Sequence, residues 1–168
     1  MNNLGIGIIG FGSIGKVHIL GYRSMSSYYD MGSVNIELVG VCTEHENTGE
    51  QAMRKHGFLY NCTDYRKLLD DKNIHIIDCA VPNYLHYSIV SDAIDAGKHI
   101  YCEKPLAMNV KEAEDLVQKA LKSKVKCQIV FNYRFIPALI RAKQIINEGK
   151  IGKILNFRAA YLHSGYVN

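Results

Sequence analysis

The sequence lacks three features, and each absence removes a class of function. No apolar stretch approaches the length of a membrane span, so we expect no membrane partner. Lysine and arginine are scattered, and a net charge of +4 without a basic run gives little support to a nucleic-acid surface. The first three residues carry no basic side chain, and glycines interrupt the apolar run behind them, which argues against a signal peptide. We therefore expect a cytoplasmic protein with neither nucleic-acid nor membrane partners.

Cysteine pairs at metal-binding spacing are also missing. No CxxC or CxxH sequence occurs among the five cysteines, which are Cys42, Cys62, Cys79, Cys102 and Cys127. Their number is odd, and three of them lie in strand-like apolar runs. We therefore expect buried free thiols rather than disulfides or a zinc site, and no bound metal.

What is present is an alternation of buried strands and helices. Apolar runs that end at glycine or at a polar turn predict strands over residues 4–10, 36–42, 74–81, 99–102 and 125–131. Helical patterns separate them over residues 13–29, 46–56, 84–96 and 109–123. Strands that are apolar on both faces indicate a parallel sheet covered on both sides, and the right-handed crossover rule then predicts a doubly wound α/β fold.

The pattern changes after residue 131. Pro137 opens a predicted helix that ends near Gly149, and residues 153–163 alternate apolar and polar side chains as a half-exposed strand does. We predict a Rossmann-type domain over residues 1–130 and the beginning of an incomplete α+β domain over residues 131–168. The apolar face and open edge of the last strand predict a homo-oligomer formed through that sheet.

A glycine-rich loop joins the first strand to the first helix, as a dinucleotide fingerprint requires. It reads Gly10-Phe11-Gly12-Ser13-Ile14-Gly15. The first glycine permits a tight turn, the second lets the backbone approach a pyrophosphate, and the third allows close packing of helix on strand. Amide groups near Ser13 and Ile14 would face the anion. Glycines in an ordinary turn are the alternative.

The end of the second strand is where a dinucleotide site usually places an acid for the ribose hydroxyls. Here Thr43 and Glu44 follow the strand. A threonine repels a 2′-phosphate less than a carboxylate does, yet no adjacent arginine or lysine is present to clamp one. The residues leave NAD and NADP open, with NAD slightly favoured. Glu44 is either a ribose-binding acid or an exposed surface acid.

Two later strand ends also carry polar groups. After the third main strand come Val81, Pro82 and Asn83, which would fix a turn and cap the next helix; His86, one turn on, is by itself typical of packing. Glu103 and Lys104 end the fourth strand, where both charges need partners or ligands. An ion pair that stabilises a turn is the alternative.

Together these motifs resemble the Gfo/Idh/MocA family of NAD(P)-dependent sugar oxidoreductases. The resemblance covers nearly the whole chain and rests on the glycine loop, Pro82-Asn83, Glu103-Lys104-Pro105, Ala113-Glu114-Asp115-Leu116, Asn132-Tyr133-Arg134-Phe135 and Gly149-Lys150-Ile151-Gly152-Lys153. It implies a dehydrogenase that moves a hydride between nicotinamide and a secondary alcohol of a sugar or cyclitol.

The resemblance also implies roles for individual residues. Lys104 would lie near the nicotinamide and the reacting hydroxyl as the catalytic residue, and Glu103 near the nicotinamide ribose. The segment from Val81 to His86 would line the dinucleotide site, and Thr43 stands where the family often has its acid.

One departure from the family pattern is evident. Family members are about twice as long, and their second domain supplies an Asp-x-x-x-His pair that residues 131–168 do not contain. We therefore expect this chain to be incomplete or inactive by itself. A non-catalytic dinucleotide-binding module or subunit is the alternative, and a remnant that binds nothing is a third.

Overall fold

Six short strands form the framework of the fold. The computed structural model describes residues 2–162. Its strands are β1 (Asn2–Ile9), β2 (Val34–Cys42), β3 (Tyr60–Cys62), β4 (Ile76–Cys79), β5 (His99–Cys102) and β6 (Cys127–Ile129). All neighbouring pairs are parallel, and their order across the sheet is β3-β2-β1-β4-β5-β6. The predicted doubly wound Rossmann fold is confirmed.

Helices connect the strands. They are α1 (Ser13–Tyr28), α2 (Glu46–His56), α3 (Arg66–Asp70), α4 (His86–Asp95) and α5 (Val110–Lys122). Local sequence explains several boundaries. Gly57 ends α2 at φ +64°, a conformation that glycine adopts without strain. Asn109 begins α5: its side-chain oxygen accepts a 3.0 Å hydrogen bond from the Glu112 backbone amide, and its side-chain nitrogen donates to the Glu112 carboxylate at 2.9 Å.

Two apolar clusters bury the sheet. Ile8 and Ile9 are adjacent in β1 and belong to different clusters, because successive strand side chains point to opposite faces. One cluster brings Ile8 together with Ile19 of α1; the other brings Ile9 together with Ile89 of α4. The two-sided burial explains why the strands are apolar throughout. No helix within residues 2–162 has the length and apolar character needed to cross a membrane.

The strand order reverses between β1 and β4. From β1 the chain first builds outward through β2 and β3, and then returns to place β4 on the other side of β1. The loops that follow β1 and β4 therefore leave the sheet edge in opposite directions. In doubly wound folds this reversal opens a crevice beyond the carboxyl ends of the strands, which is where ligands bind.

The described residues divide into two compact units, one ending at Val130 and the other beginning at Phe131. The second unit contains a 3₁₀ turn (Asn132–Phe135) and helix α6 (Pro137–Asn147). The strand expected over residues 153–163 is wrong as far as it is described, because residues 153–162 adopt no regular structure and His163 lies outside the described residues. A strand needs a neighbour for its backbone groups, and the described part of this unit holds no other strand. The predicted self-association through that sheet stays a prediction.

Candidate functional site

A cavity of about 680 Å³ lies at the carboxyl ends of β1, β2 and β4. Its wall includes seven residues singled out from the sequence: Gly10, Phe11, Gly12, Thr43, Glu44, Val81 and Pro82. The other predicted site residues do not line it: Ser13, Ile14, Gly15, Asn83, His86, Glu103 and Lys104. Tyr84 and Leu85, from the segment 81–86, complete much of the wall together with Thr63 and Tyr65, which were not foreseen. The volume falls within the range of small-molecule and cofactor sites.

The three loop glycines meet different surroundings. A Cβ at Gly10, whose φ is +100°, would lie 2.5 Å from the Ala80 carbonyl oxygen. At Gly15 a Cβ would lie 2.3 Å from the carbonyl oxygen of Gly10, so the loop packs tightly on the first turn of α1. At Gly12 nothing lies within 4 Å of such an atom. The missing side chain at Gly12 therefore leaves open space on the cavity side, while the other two glycines permit contact within the protein.

The N-terminus of α1 opens at the same place. Gly12 is its capping residue, so no side chain caps the helix, and no acidic residue occupies its first turn. Ser13 and Ile14 are exposed there. The first amide groups of a helix have no partner within the helix and carry partial positive charge. The arrangement suits an anionic group placed against Gly12.

Two side chains, His56 and Lys16, contact the Phe11 ring. Its ring contacts the ring of His56 edge-on, with centroids 5.4 Å apart, and the Lys16 ammonium lies 5.0 Å from the Phe11 centroid. Burial, together with the nearby Arg23, Lys55 and Lys16 charges, lowers the pKa of His56. Helix α2 thus supports the cavity wall through a neutral ring rather than through a charge.

At the end of β2, two predicted residues play different structural parts. Thr43 is buried, and its hydroxyl donates to the His45 carbonyl at 2.9 Å, so it fixes the turn. Glu44 is exposed and lines the cavity. Among the described residues of the cavity wall, none is lysine or arginine.

Beyond β4, the chain makes a 3₁₀ turn (Asn83–Leu85) before α4 begins. The sequence predicted Asn83 as a helix cap, but no side chain caps this turn. His86 is buried beneath the loops, with Nε2 2.9 Å from the Val81 carbonyl and Nδ1 2.7 Å from the Pro105 carbonyl. It therefore joins the turn after β4 to the loop after β5.

A buried cluster of possible metal ligands lies beside His86. Cys79 and Cys102 face each other in register on β4 and β5, and one ligand atom from each of the three residues lies within 4.8 Å of the others. Both ring nitrogens of His86 already face carbonyl oxygens at short distance, so the imidazole is not turned toward a metal. All five cysteines are free; four are buried as predicted, and Cys127 is exposed.

Glu103 and Lys104 follow β5. The Glu103 carboxylate accepts the Lys104 backbone amide at Oε2, 3.1 Å away, and the Lys104 side chain is exposed. The Lys104–Pro105 peptide bond is cis. The expected alternative, an ion pair between the two side chains, is not among the ion pairs of the described residues.

Glu103 instead reaches a histidine that sequence reasoning did not assign. His18 of α1 places Nε2 3.3 Å from Glu103 Oε1 and Nδ1 3.0 Å from both carboxylate oxygens of Asp78. We call this Asp78, His18 and Glu103 arrangement the His18 bridge. The Tyr22 hydroxyl donates to Asp78 Oδ2 at 2.9 Å. One signal was available: Asp78 is a charged residue inside a strand that is otherwise apolar.

Electrostatics in the bridge favour a charged imidazole. Burial lowers the pKa of His18, but the hydrogen bond and charge of Asp78 and the charge of Glu103 outweigh it and raise the pKa above the usual value. The side chains of His18 and Asp78 are 8% and 0% exposed, so water screens this interaction little. Burial and Asp78 also raise the pKa of Tyr22, which keeps its hydroxyl a donor.

The known proteins that this chain resembles are oxidoreductases. Residues 4–131 match the model of a family described as an oxidoreductase family with an NAD-binding Rossmann fold. Levoglucosan dehydrogenase of Pseudarthrobacter phenanthrenivorans is 38% identical over 162 residues, covering 96% of this chain and 42% of that protein. Inositol 2-dehydrogenase/D-chiro-inositol 3-dehydrogenase of Lactiplantibacillus plantarum is 31% identical over 152 residues, covering 89% and 41%. The chain thus spans about two fifths of the length of these curated relatives.

Solved structures agree with the sequence matches. Levoglucosan dehydrogenase in complex with NADH and levoglucosan superposes with a TM-score of 0.88 at 37% identity, covering 92% of this chain and 42% of that one. An NAD-binding oxidoreductase from Klebsiella pneumoniae gives 0.85 at 37% identity, covering 90% and 40%. At these identities the likeness extends beyond the fold to the sequence that builds it.

Proposed function

The chain belongs to the Gfo/Idh/MocA family of oxidoreductases, and from that membership we propose that it is the nucleotide-binding part of an NAD(P)-dependent dehydrogenase. The substrate we propose is a small sugar or cyclitol that is oxidised at a secondary alcohol. The relatives named for levoglucosan and inositol support this substrate class.

One observation carries the proposal. The cavity opens at the reversal between β1 and β4, directly over the open space at Gly12 and the uncapped start of α1. A pyrophosphate placed there would meet backbone amides with no side chain in the way. The cavity's apolar wall, including Phe11 and Leu85, suits the flat rings of a dinucleotide.

We assign NAD rather than NADP as the preferred cofactor. Glu44 lines the cavity at the end of β2, where ribose hydroxyls bind in dinucleotide sites, and its carboxylate would accept them. The same carboxylate would repel a 2′-phosphate, and the described cavity wall offers neither arginine nor lysine to neutralise one. Thr43 acts on this site through the turn, because its hydroxyl is bonded to the His45 carbonyl.

The chemical step would depend on Lys104. A bound nicotinamide supplies the hydride acceptor. Lys104, exposed at the end of β5, would polarise the reacting oxygen or relay the proton that the alcohol loses. Glu103 fixes the backbone of that lysine by accepting its amide hydrogen at 3.1 Å. We further propose that residues 1–130 form the dinucleotide-binding domain and that residues 131–168 begin a domain for substrate and self-association.

Calorimetric titration of the 168-residue chain with NADH and with NADPH tests the cofactor part. We expect NADH to bind, and NADPH to bind more weakly. Gly12→Ala is the matched variant, because a Cβ there meets no protein atom within 4 Å and so should leave folding intact while it fills the pyrophosphate space. Binding that is unchanged in this variant, or absent from the folded wild type, would contradict the assignment.

Turnover with a panel of sugars and cyclitols, measured on a protein in which this sequence is joined to a substrate domain, tests the chemical part. Lys104→Met should abolish NADH formation without weakening cofactor binding, whereas Lys111→Met, which removes an exposed lysine of α5, should change neither. Turnover that survives the Lys104 change would remove its catalytic role. Cofactor binding without turnover on any substrate would favour the non-catalytic module.

A further inference from the structure

The His18 bridge joins three segments that are far apart in sequence. His18 lies on α1, Asp78 lies in β4, and Glu103 follows β5. The imidazole spans the two carboxylates, at 3.0 Å from Asp78 and 3.3 Å from Glu103. Asp78 is wholly buried, so its charge needs a partner inside the protein.

Only one protonation state of His18 serves both contacts. A neutral imidazole donates at one nitrogen and presents a lone pair at the other, and that lone pair would face a carboxylate. An imidazolium donates at both nitrogens. The geometry, with a carboxylate oxygen near each ring nitrogen, therefore fits a positively charged His18 between two anions.

Asp78 is the fixed end of the bridge. Its backbone belongs to β4, which pairs with β1 on one side and β5 on the other. The Tyr22 hydroxyl holds one carboxylate oxygen at 2.9 Å, and the Tyr101 ring lies 5.3 Å from the His18 ring. Because these contacts hold the imidazole at one side, its other nitrogen presents a fixed donor to Glu103.

Glu103 is the end next to Lys104. One carboxylate oxygen faces His18 and the other accepts the Lys104 amide. We propose that His18 is a positioning residue, and that its charge holds the Glu103 carboxylate and, through it, the backbone of Lys104. The proposal rests on the function assigned to Lys104 above for its catalytic meaning, but the coupling itself exists without cofactor.

Loss of the proton from His18 would release one of the two contacts. The groups facing the imidazole are Asp78 of β4, Glu103 after β5 and Tyr101 of β5, and the Tyr22 hydroxyl of α1 faces Asp78. Asp78 offers both oxygens and the shorter distance, so the remaining N–H would stay with it. Glu103 would then lose its hydrogen-bond donor, and the environment of the Lys104 amide, which Glu103 accepts, would change.

Nuclear magnetic resonance of the cofactor-free chain tests this coupling directly. The pH is raised from about 5.5 to about 9 while the His18 ring and the Lys104 amide are followed, a range that brackets an ordinary histidine. We expect the Lys104 amide to shift with the same midpoint as His18, above about 6.5. His18→Gln should abolish that transition, and His99→Gln, which removes a histidine of β5 outside the bridge, should retain it.

Titration of the wild-type protein tests the coupling between His18 and the Lys104 amide even if a variant fails to fold. A His18 ring that titrates while the Lys104 amide stays still would overturn the proposal, as would a Lys104 transition that persists in His18→Gln. A purely structural His18 would change unfolding but leave no shared midpoint. Failure of NADH to bind would count against the proposed function alone, because this readout uses no cofactor.

Cofactor affinity supplies a second measurement. If NADH binds, its dissociation constant should rise about three- to tenfold in His18→Gln, equivalent to the loss of one hydrogen-bonded anchor. Wild-type affinity should weaken in the same sense as the pH passes the His18 midpoint. An affinity that the variant leaves unchanged at every pH would show that Glu103 holds its place without His18.

Discussion

The β2 side and the β5 side of the carboxyl edge of the sheet are built by different means. On the β2 side, the wall is made of backbone turns and mostly uncharged side chains, from the glycine loop to the turn at Thr43. On the β5 side, outside the cavity wall, the His18 bridge connects three ionisable groups, and Glu103 in turn accepts the Lys104 backbone amide. The first side depends on steric fit within short segments of the chain, whereas the second depends on charges that meet only in the folded chain.

The largest loss of stability should come from removing the carboxylate of Asp78, which is the buried end of the His18 bridge. Asp78→Ala leaves His18 and the Tyr22 hydroxyl without their acceptor, and removal of one partner from a buried pair costs about 3 kcal/mol of unfolding free energy. Asp95→Ala, which breaks an exposed pair with Lys119, should cost less than about 1 kcal/mol. Denaturant unfolding measures both, and equal losses would mean that the bridge is no stronger than a surface pair.

In the glycine loop on the β2 side, we expect an alanine at position 15 to lower stability more than an alanine at position 12. Gly15→Ala puts a Cβ 2.3 Å from the Gly10 carbonyl oxygen, and overpacking of this kind costs about 2 kcal/mol. Gly12→Ala meets no atom within 4 Å and should leave the melting temperature near that of wild type. A calorimetric melting scan of the two variants separates them. If Gly12→Ala were the more destabilising, the assignment of these glycines would be reversed.

The same contrast explains what the sequence could predict. Gly10, Gly12 and Gly15 lie within six residues of one another, and a strand before them and a helix after them define their role, so the loop was predictable. The fold was predictable for a similar reason, since apolar runs ended by glycines mark the strands of a two-sided sheet. Glu44 and Thr43 were foreseen at the strand end that lines the cavity, but the hydrogen bond from the Thr43 hydroxyl to the His45 carbonyl was not.

The bridge was not predictable in that way. His18 and Tyr22 lie one turn apart on the buried side of α1, where their spacing is also typical of packing residues. Asp78 and Glu103 come from different strands, and only the parallel register brings these strands together. His86 shows the same limit: its motif suggested a ligand contact, yet the ring binds two backbone carbonyls. Residues 153–162 do not form the predicted strand, because alternation alone does not supply a pairing partner.

A smaller effect, on the preference between NADH and NADPH, is expected on the β2 side, where the cavity wall includes the acid Glu44. Glu44→Gln should raise the affinity for NADPH relative to NADH by about three- to tenfold, since it removes a charge that opposes the 2′-phosphate. Glu46→Gln is the matched control, because Glu46 is an exposed acid in the first turn of α2 and does not line the cavity. Parallel titrations with both cofactors give the ratio. An unchanged ratio would leave Glu44 as a surface acid.

The smallest effect should be a difference between the two sides in how their contributions to the free energy of unfolding depend on pH. Because the pKa of His18 is raised in the folded protein, the bridge contributes its full stability below about pH 6.5 and loses it as the pH rises through the folded value. The difference in unfolding free energy between wild type and His18→Gln should therefore shrink from about pH 6 upward. Gly15→Ala should cost the same at every pH, because the atoms nearest to a side chain there belong to Gly10 and Ala80, neither of which ionises. Urea unfolding of the three proteins across this range compares the two costs. A His18 cost that stays constant with pH would mean that the imidazole is neutral in the bridge, and the two sides of the sheet edge would then differ in geometry but not in charge.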